Sequence, residues 1–196
     1  MRDDGATQLP ANWIETLLPH IDFRERHRID ILAPPGFILD CVDDYRLKND
    51  PLVRAAIALR ELPARMLGRT TRPPFDRDDF TFLGRDRDNA LAFGLIGAFW
   101  EADYGLLPCP SVEDFRVCAR QDVCKLVLSY TLRPLTRGTH RLTTETSVFC
   151  PTPATRRRFA PYWYLIRPVS GLIRRRMLAS VRAQVESRAR SRSITD

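Results

Sequence analysis

Between Val123 and Val185 the hydrophobic repeat changes period once, at a pair of prolines, and this change constrains the fold more than any other feature of the chain. Val123 to Arg133 and His140 to Cys150 alternate apolar and polar residues around a connection through Pro134, Thr136 and Gly138, the pattern of a β-hairpin. Alternation places Cys124, Leu126, Leu128, Tyr130 and Leu132 on one face of the first strand, and His140, Leu142, Thr144, Thr146 and Val148 on the matching face of the second. The opposite face carries Lys125, Ser129, Arg133, Arg141, Thr143 and Glu145 and is expected to be at least partly wet. Beyond Pro151 and Pro153, Phe159, Tyr162, Trp163, Ile166, Val169, Ile173, Met177, Val181 and Val185 recur at helical steps, with arginines filling much of the rest. A hairpin followed directly by so long an amphipathic helix has to bury both apolar faces, and each supplies the surface the other needs.

The upstream chain fits the same layout. Trp13, Ile14, Leu17, Leu18 and Ile21 predict a short helix over Pro10 to Ile21 with Asn12 as N-cap. After the charged run Arg24 to Arg28, residues His27 to Ala33 alternate, with His27, Ile29 and Ile31 on one face, until Pro34 and Pro35 end the strand. The period then turns helical over Pro35 to Arg46, and again from Asp50 to Leu67, where Asp50 caps, Pro51 takes the first position and Pro63 interrupts. Thr70 to Asp79 reads as a loop, Phe80 to Gly84 as a strand, and Asp86 to Asn89 as a turn. Ala90 to Trp100 reads as a strand covered on both faces, with Gly94 and Gly97 marking bulges or close packing. Residues 101 to 112 read as a loop near the strand end, and Phe115 to Ala119 as a weak strand. Pro168 is expected to kink the last helix, and the basic tail 187–196 to fray. Runs of strands closed by a terminal helix give an α+β fold with an antiparallel sheet, and residues 1–186 form a single domain.

Composition narrows the chemistry. The apolar run Ala90 to Trp100 is about half of a membrane-spanning helix. The start Arg2-Asp3-Asp4 lacks the apolar stretch of a secretory signal, so a cytoplasmic location is expected. Cys41, Cys109, Cys118, Cys124 and Cys150 form no C-x-x-C pair, and His20, His27 and His140 stand in no metal-ligand spacing, so the cysteines read as reduced and no metal is expected. P-loop, dinucleotide-binding and G-x-S-x-G motifs are absent, so no cofactor is implied. The net charge of +7 is uneven: residues 151–196 hold 11 arginines against Glu186 and Asp196, leaving −2 for the rest.

The segment HRIDILAPPGFILDCV (His27 to Val42), then LTTETSV (Leu142 to Val148) and RRFAPYWYLIRPVSGLIRRR (Arg157 to Arg176), resemble small bacterial members of the START-related lipid-transfer (SRPBCC) superfamily. The resemblance covers roughly residues 24–186 and implies a helix-grip fold, a curved antiparallel sheet wrapped around a long C-terminal helix, here with extra N-terminal helices. It further implies an apolar cavity for a hydrophobic small molecule or lipid. Members of that superfamily also include cyclases and dehydratases, so an enzyme of polyketide cyclase type on the same cavity is the alternative.

In that frame the cavity lies between the Tyr130 and Thr144 face of the hairpin and the Phe159 to Ile173 face of the helix. Leu128, Leu142, Phe159, Trp163, Ile166 and Ile173 supply apolar wall, Tyr130, His140, Thr144 and Thr146 the polar groups, and Trp100, Tyr104 and Trp163 an entrance. The plain alternative is that these residues close a solid core. Tyr130 and His140 are the acid–base candidates for an enzyme, although a histidine beside a turn is ordinarily solvated. Arg156, Arg157, Arg158, Arg174, Arg175 and Arg176, with Arg182, Arg188, Arg190 and Arg192, offer a surface for anionic head groups. Consecutive arginines spread around the helix, so a merely solvated face is the competing reading. No DNA-recognition motif is present, which favours an acidic membrane over nucleic acid as the partner.

Overall fold

Five antiparallel strands, β1 (Phe23–Leu32), β2 (Thr81–Asp86), β3 (Ala90–Gly97), β4 (Cys124–Pro134) and β5 (Thr139–Phe149), form one curved sheet in the order β1-β5-β4-β3-β2. The α-helices among the described residues are α1 (Pro35–Asp44), α2 (Val112–Val117) and α3 (Pro153–Ser193). A long C-terminal helix against such a sheet is the helix-grip layout expected from the sequence. The computed structural model describes residues 13–45, 79–101, 103–136 and 138–193. The predicted helix from Asp50 to Leu67, most of the loop before Asp79 and the Asn12 cap lie outside the described residues, as do the side chains of 189–193.

The hairpin register follows the alternation read from the sequence. Leu126 faces Val148, Leu128 faces Thr146, Tyr130 faces Thr144 and Leu132 faces Leu142. β1 joins the open side of β5, with Glu25 opposite Thr146, His27 opposite Thr144 and Ile29 opposite Leu142. This strand begins at Phe23, earlier than predicted, because the charged run itself alternates: Phe23 and Glu25 are buried while Arg24 and Arg26 are exposed. β3 is buried along its whole length, as its unbroken apolarity requires. It ends at Gly97, short of Trp100, where the amide of Glu101 donates to the carbonyl of Ala98 at 2.8 Å and turns the chain.

α3 starts where Thr152 Oγ1 accepts from the amide of Thr155 at 3.1 Å and Pro153 takes the first position, whose N–H has no helical partner. It stays helical through Ser193 with Pro161 and Pro168 inside it, so the basic segment from Ser187 has helical backbone to that residue. Its inward stripe includes Phe159, Trp163, Met177, Val181 and Val185, all buried. α1 lays Ile38, Leu39, Cys41 and Val42 against the C-terminal half of that stripe.

The outer face has a small layer of its own. The predicted helix over Pro10 to Ile21 is a 3-10 turn, Trp13–Leu17, because Pro19 draws Leu18 out of helical geometry. Where a strand is predicted at Phe115 to Ala119, Phe115 to Val117 are instead the end of α2 and Cys118 caps it. Ser111 Oγ accepts from the amide of Asp114 at 3.1 Å, and Glu113 and Asp114 fill the first turn, a helix-start signal stronger than the weak β pattern. Fully buried Phe115 packs where a Cβ on Gly94 would come within 2.7 Å of its ring, so Gly94 marks close packing. The sheet irregularity lies in β2, between Phe82 and Gly84.

Candidate functional site

The inner face of the sheet is apolar at both ends and polar in between. At one end Ile31, Ile38, Val42, Leu132, Leu142, Met177 and Val181 form a packed cluster; at the other Phe23, Val148, Phe159 and Trp163 form an aromatic one. Between them the rows Glu25–Thr146 and His27–Thr144 cross the sheet, the second continuing to Tyr130. Gly171 of α3 passes over this band, where a Cβ would lie 3.0 Å from Glu25 Oε1 and 3.5 Å from His27 Cε1. A side chain at 171 would press on the carboxylate, so glycine permits the close crossing.

His27 Nε2 lies 3.1 Å from Glu25 Oε1, a carboxylate–imidazole pair on adjacent same-face positions of one strand. Glu25 is 8% exposed and Thr144 1%. Among the described residues, Glu25 Oε2, Thr144 Oγ1 and Arg174 Nε are buried without a hydrogen-bond partner. Arg174 reaches Tyr130, with Nη1 to the phenol oxygen at 3.5 Å, and that hydroxyl donates to Met177 Sδ at 3.3 Å. Beside the band a cavity of about 40 Å³ is lined by Val42, Tyr45, Phe80, Phe93, Leu128, Tyr130, Arg174 and Met177. That volume admits water; a drug-sized ligand occupies roughly 300 Å³ or more.

The structure therefore brings Tyr130, Thr144, Thr146 and Leu128 together, with Leu142 fully buried in the adjoining cluster. Phe159 and Trp163 pack instead on Phe23, with centroids 5.1 and 5.7 Å from its ring, and lie away from the cavity. Ile166 and Ile173 are half-buried on α3. Tyr104 is buried and Trp100 half-buried at the other end of β3, where a Cβ on Gly97 would come within 2.8 Å of the carbonyl oxygen of Tyr104. His140 stands at the turn, its Nδ1 2.9 Å from the carbonyl of Ala33, tying the hairpin tip to the end of β1.

Of the six arginines expected on an anionic surface, Arg174 is turned inward onto Tyr130, and Arg156 pairs with Asp22 at 3.4 Å. Arg157, Arg158 and Arg175 are exposed, and Arg176 is partly so. An open groove of about 550 Å³ at the start of α3 is bordered by His20, Asp22, Phe23, Arg156, Arg157 and Tyr164. Asp22 there is already engaged by the amide of Cys150 at 2.8 Å and by His20 and Arg156.

Glu25 and His27 are the members that sequence reasoning missed. Their signal was the i, i+2 spacing onto the face already assigned to His27, hidden because Glu25 sits in a charged run. Cys124 and Cys150 also meet, Sγ to Sγ at 3.3 Å, and their mutual hydrogen bond together with burial holds the Cys124 thiol protonated far above its ordinary range. No helix among the described residues is long and apolar enough to cross a membrane. Compared with known protein families, curated proteins and solved structures, the chain matches none.

Proposed function

We propose that this protein is a cytoplasmic binder of an amphipathic small molecule or lipid, held between the sheet and α3 with its polar end on the Glu25, Thr144 and Arg174 band. The observation that carries the reading is the set of buried polar atoms without partners: Glu25 Oε2, Thr144 Oγ1 and Arg174 Nε. A buried polar group left unpaired costs about 1–3 kcal/mol, and more if charged, so two on the sheet and one on α3 suit a site whose partners arrive with a ligand or water. The donors and acceptor fix the chemistry of the guest. Its polar end accepts from Arg174 and donates to Glu25, as a hydroxy acid does. Its apolar part points into the cavity beside Tyr130, which at about 40 Å³ has to enlarge to admit it.

Organic extraction and mass spectrometry of the purified protein test the reading, beside titration with a medium-chain hydroxy fatty acid followed by amide NMR. A compound recovered from the wild type and lost from a folded Arg174→Met variant supports it, as do shifts confined to the band on titration. No extractable compound together with no shift overturns it.

The Glu25–His27 pair favours a second reading, an enzyme of cyclase or dehydratase type in which the carboxylate orients the imidazole for proton transfer. Glu25→Gln separates the two. A binder retains its ligand with altered affinity, whereas an enzyme binds its substrate and fails to turn it over.

A further inference from the structure

Independently of the inner site, we propose that the outward face of α3 from Arg157 to Arg175 docks on an anionic phospholipid membrane. Pro161, Tyr164, Leu165, Pro168 and Leu172 fall at i, i+3, i+4, i+7 and i+11, one continuous stripe of the helix surface, and all are exposed. The exposures are 65% for Tyr164, 79% for Leu165 and 53% for Leu172, large for a run of such residues on one helix. Arg157 and Arg158 lie on the same side one turn before the stripe, Arg175 one turn after it, and Arg167 beside it. None of these four arginines meets a carboxylate among the described residues. No aspartate or glutamate occurs between Glu145 and Glu186.

Charge decides the occupant. An apolar stripe with unpaired arginines at both ends and no acid suits the boundary of an acidic bilayer, where leucines enter the acyl edge, tyrosine sits at head-group depth and guanidinium groups meet phosphate. A second copy of this face would set arginine against arginine, which opposes association. A nucleic acid would satisfy the arginines and leave Leu165 and Leu172 in water. The helix lies along the surface for about 27 Å, and its opposite side remains committed to the core through Phe159, Trp163 and Met177, so docking needs no unfolding. The open groove beside Arg157 and Tyr164 borders the same stripe.

Co-sedimentation of the full chain with vesicles of phosphatidylcholine, with and without phosphatidylglycerol, reads the proposal directly. The expected result is binding to the acidic vesicles that weakens with salt, and none to phosphatidylcholine alone. Leu165→Ser combined with Leu172→Ser lowers the partition roughly tenfold or more at unchanged charge. Arg157→Gln with Arg175→Gln lowers it about as much and flattens the salt dependence. Arg182→Gln, beyond the stripe and on an arginine paired with Glu186, leaves it within about a factor of two. Circular dichroism confirms that each variant is folded. Failure of the wild type to bind acidic vesicles overturns the proposal, as does a leucine pair variant that binds like the wild type, or self-association that the leucine changes abolish while vesicle binding persists.

Discussion

On the outer face of β1 and β5, Arg141 clamps Asp30 through two bonds of 2.7 and 3.0 Å, and Glu145 lies between Arg24, at 3.1 Å, and Arg26, at 2.7 Å. On the inner face of the same two strands, Glu25 has one oxygen on His27 and the other on nothing among the described residues, and Thr144 Oγ1 is likewise alone. These outer-face residues, Arg24, Arg26, Asp30, Arg141 and Glu145, are exposed or half-buried and paired, which costs little and contributes little. Those of the inner face sit in a low-dielectric interior, where an unpaired group is costly. A sheet that satisfies its cheap side and leaves its costly side open is arranged for something other than stability at that band.

The sharpest way to break this comparison is to test whether the outer face is structural. Phe115 is fully buried there, against Gly94 and beneath Lys125, whose ammonium lies 5.5 Å from the ring. Phe115→Ala is expected to cost about 3–5 kcal/mol in chemical denaturation, the usual result of emptying an aromatic core site. Loss below about 1 kcal/mol would mean that α2 is a detachable cover, and the contrast between the faces would then be drawn wrongly.

The second effect is smaller and opposite in sign. Thr144→Val removes a buried hydroxyl without changing the shape of the side chain, so stability is expected to rise by about 1 kcal/mol while retention of any bound ligand falls. On the other face of the same strand, Ser147→Ala breaks a 2.9 Å bond to Glu145 and is expected to lose about 1 kcal/mol. Urea titrations of the two variants decide the point. If Thr144→Val destabilises as Ser147→Ala does, the inner hydroxyl is satisfied in solution and the band is ordinary core.

How much of this is legible in the sequence follows from where the chain's patterns are local. Period-two alternation on both sides of a marked turn sets the Tyr130–Thr144 pairing, and a helical repeat sets the inward stripe of α3. Glu25 is hidden because Arg24, Arg26 and Arg28 make the strand start look like a solvated run, although every second residue faces inward. Arg174 cannot be told from Arg175 or Arg176 by type, but it lies three residues before Met177 and seven before Val181, so helical phase alone turns it inward, where it meets Tyr130. Leu165 and Leu172 lie off the repeat, and that departure is the available sign of an apolar outward face. The meeting of Cys124 with Cys150 follows from the register, since Lys125 faces Phe149, but no local motif announces it. Ser111 with Asp114 is a helix-start signal that outweighs the strand pattern around Phe115.

The smallest effect sharpens the comparison from the outer side. Asp30 is held below its ordinary carboxyl pKa of 3.8 by the hydrogen bond from Arg141, with desolvation acting the other way and the charge of Arg141 adding to the lowering. A depressed folded-state pKa contributes stability that is present above the unfolded value and lost as pH falls through the folded one. Arg141→Ala is therefore expected to let Asp30 titrate closer to its ordinary value by NMR and to leave the thermal midpoint at neutral pH unchanged within error, because both groups are in water and screened. A clear fall in that midpoint would show that ion pairs hold the β1 edge to β5. The outer face would then carry the strand that presents Glu25 and His27, and the two faces would be coupled through it.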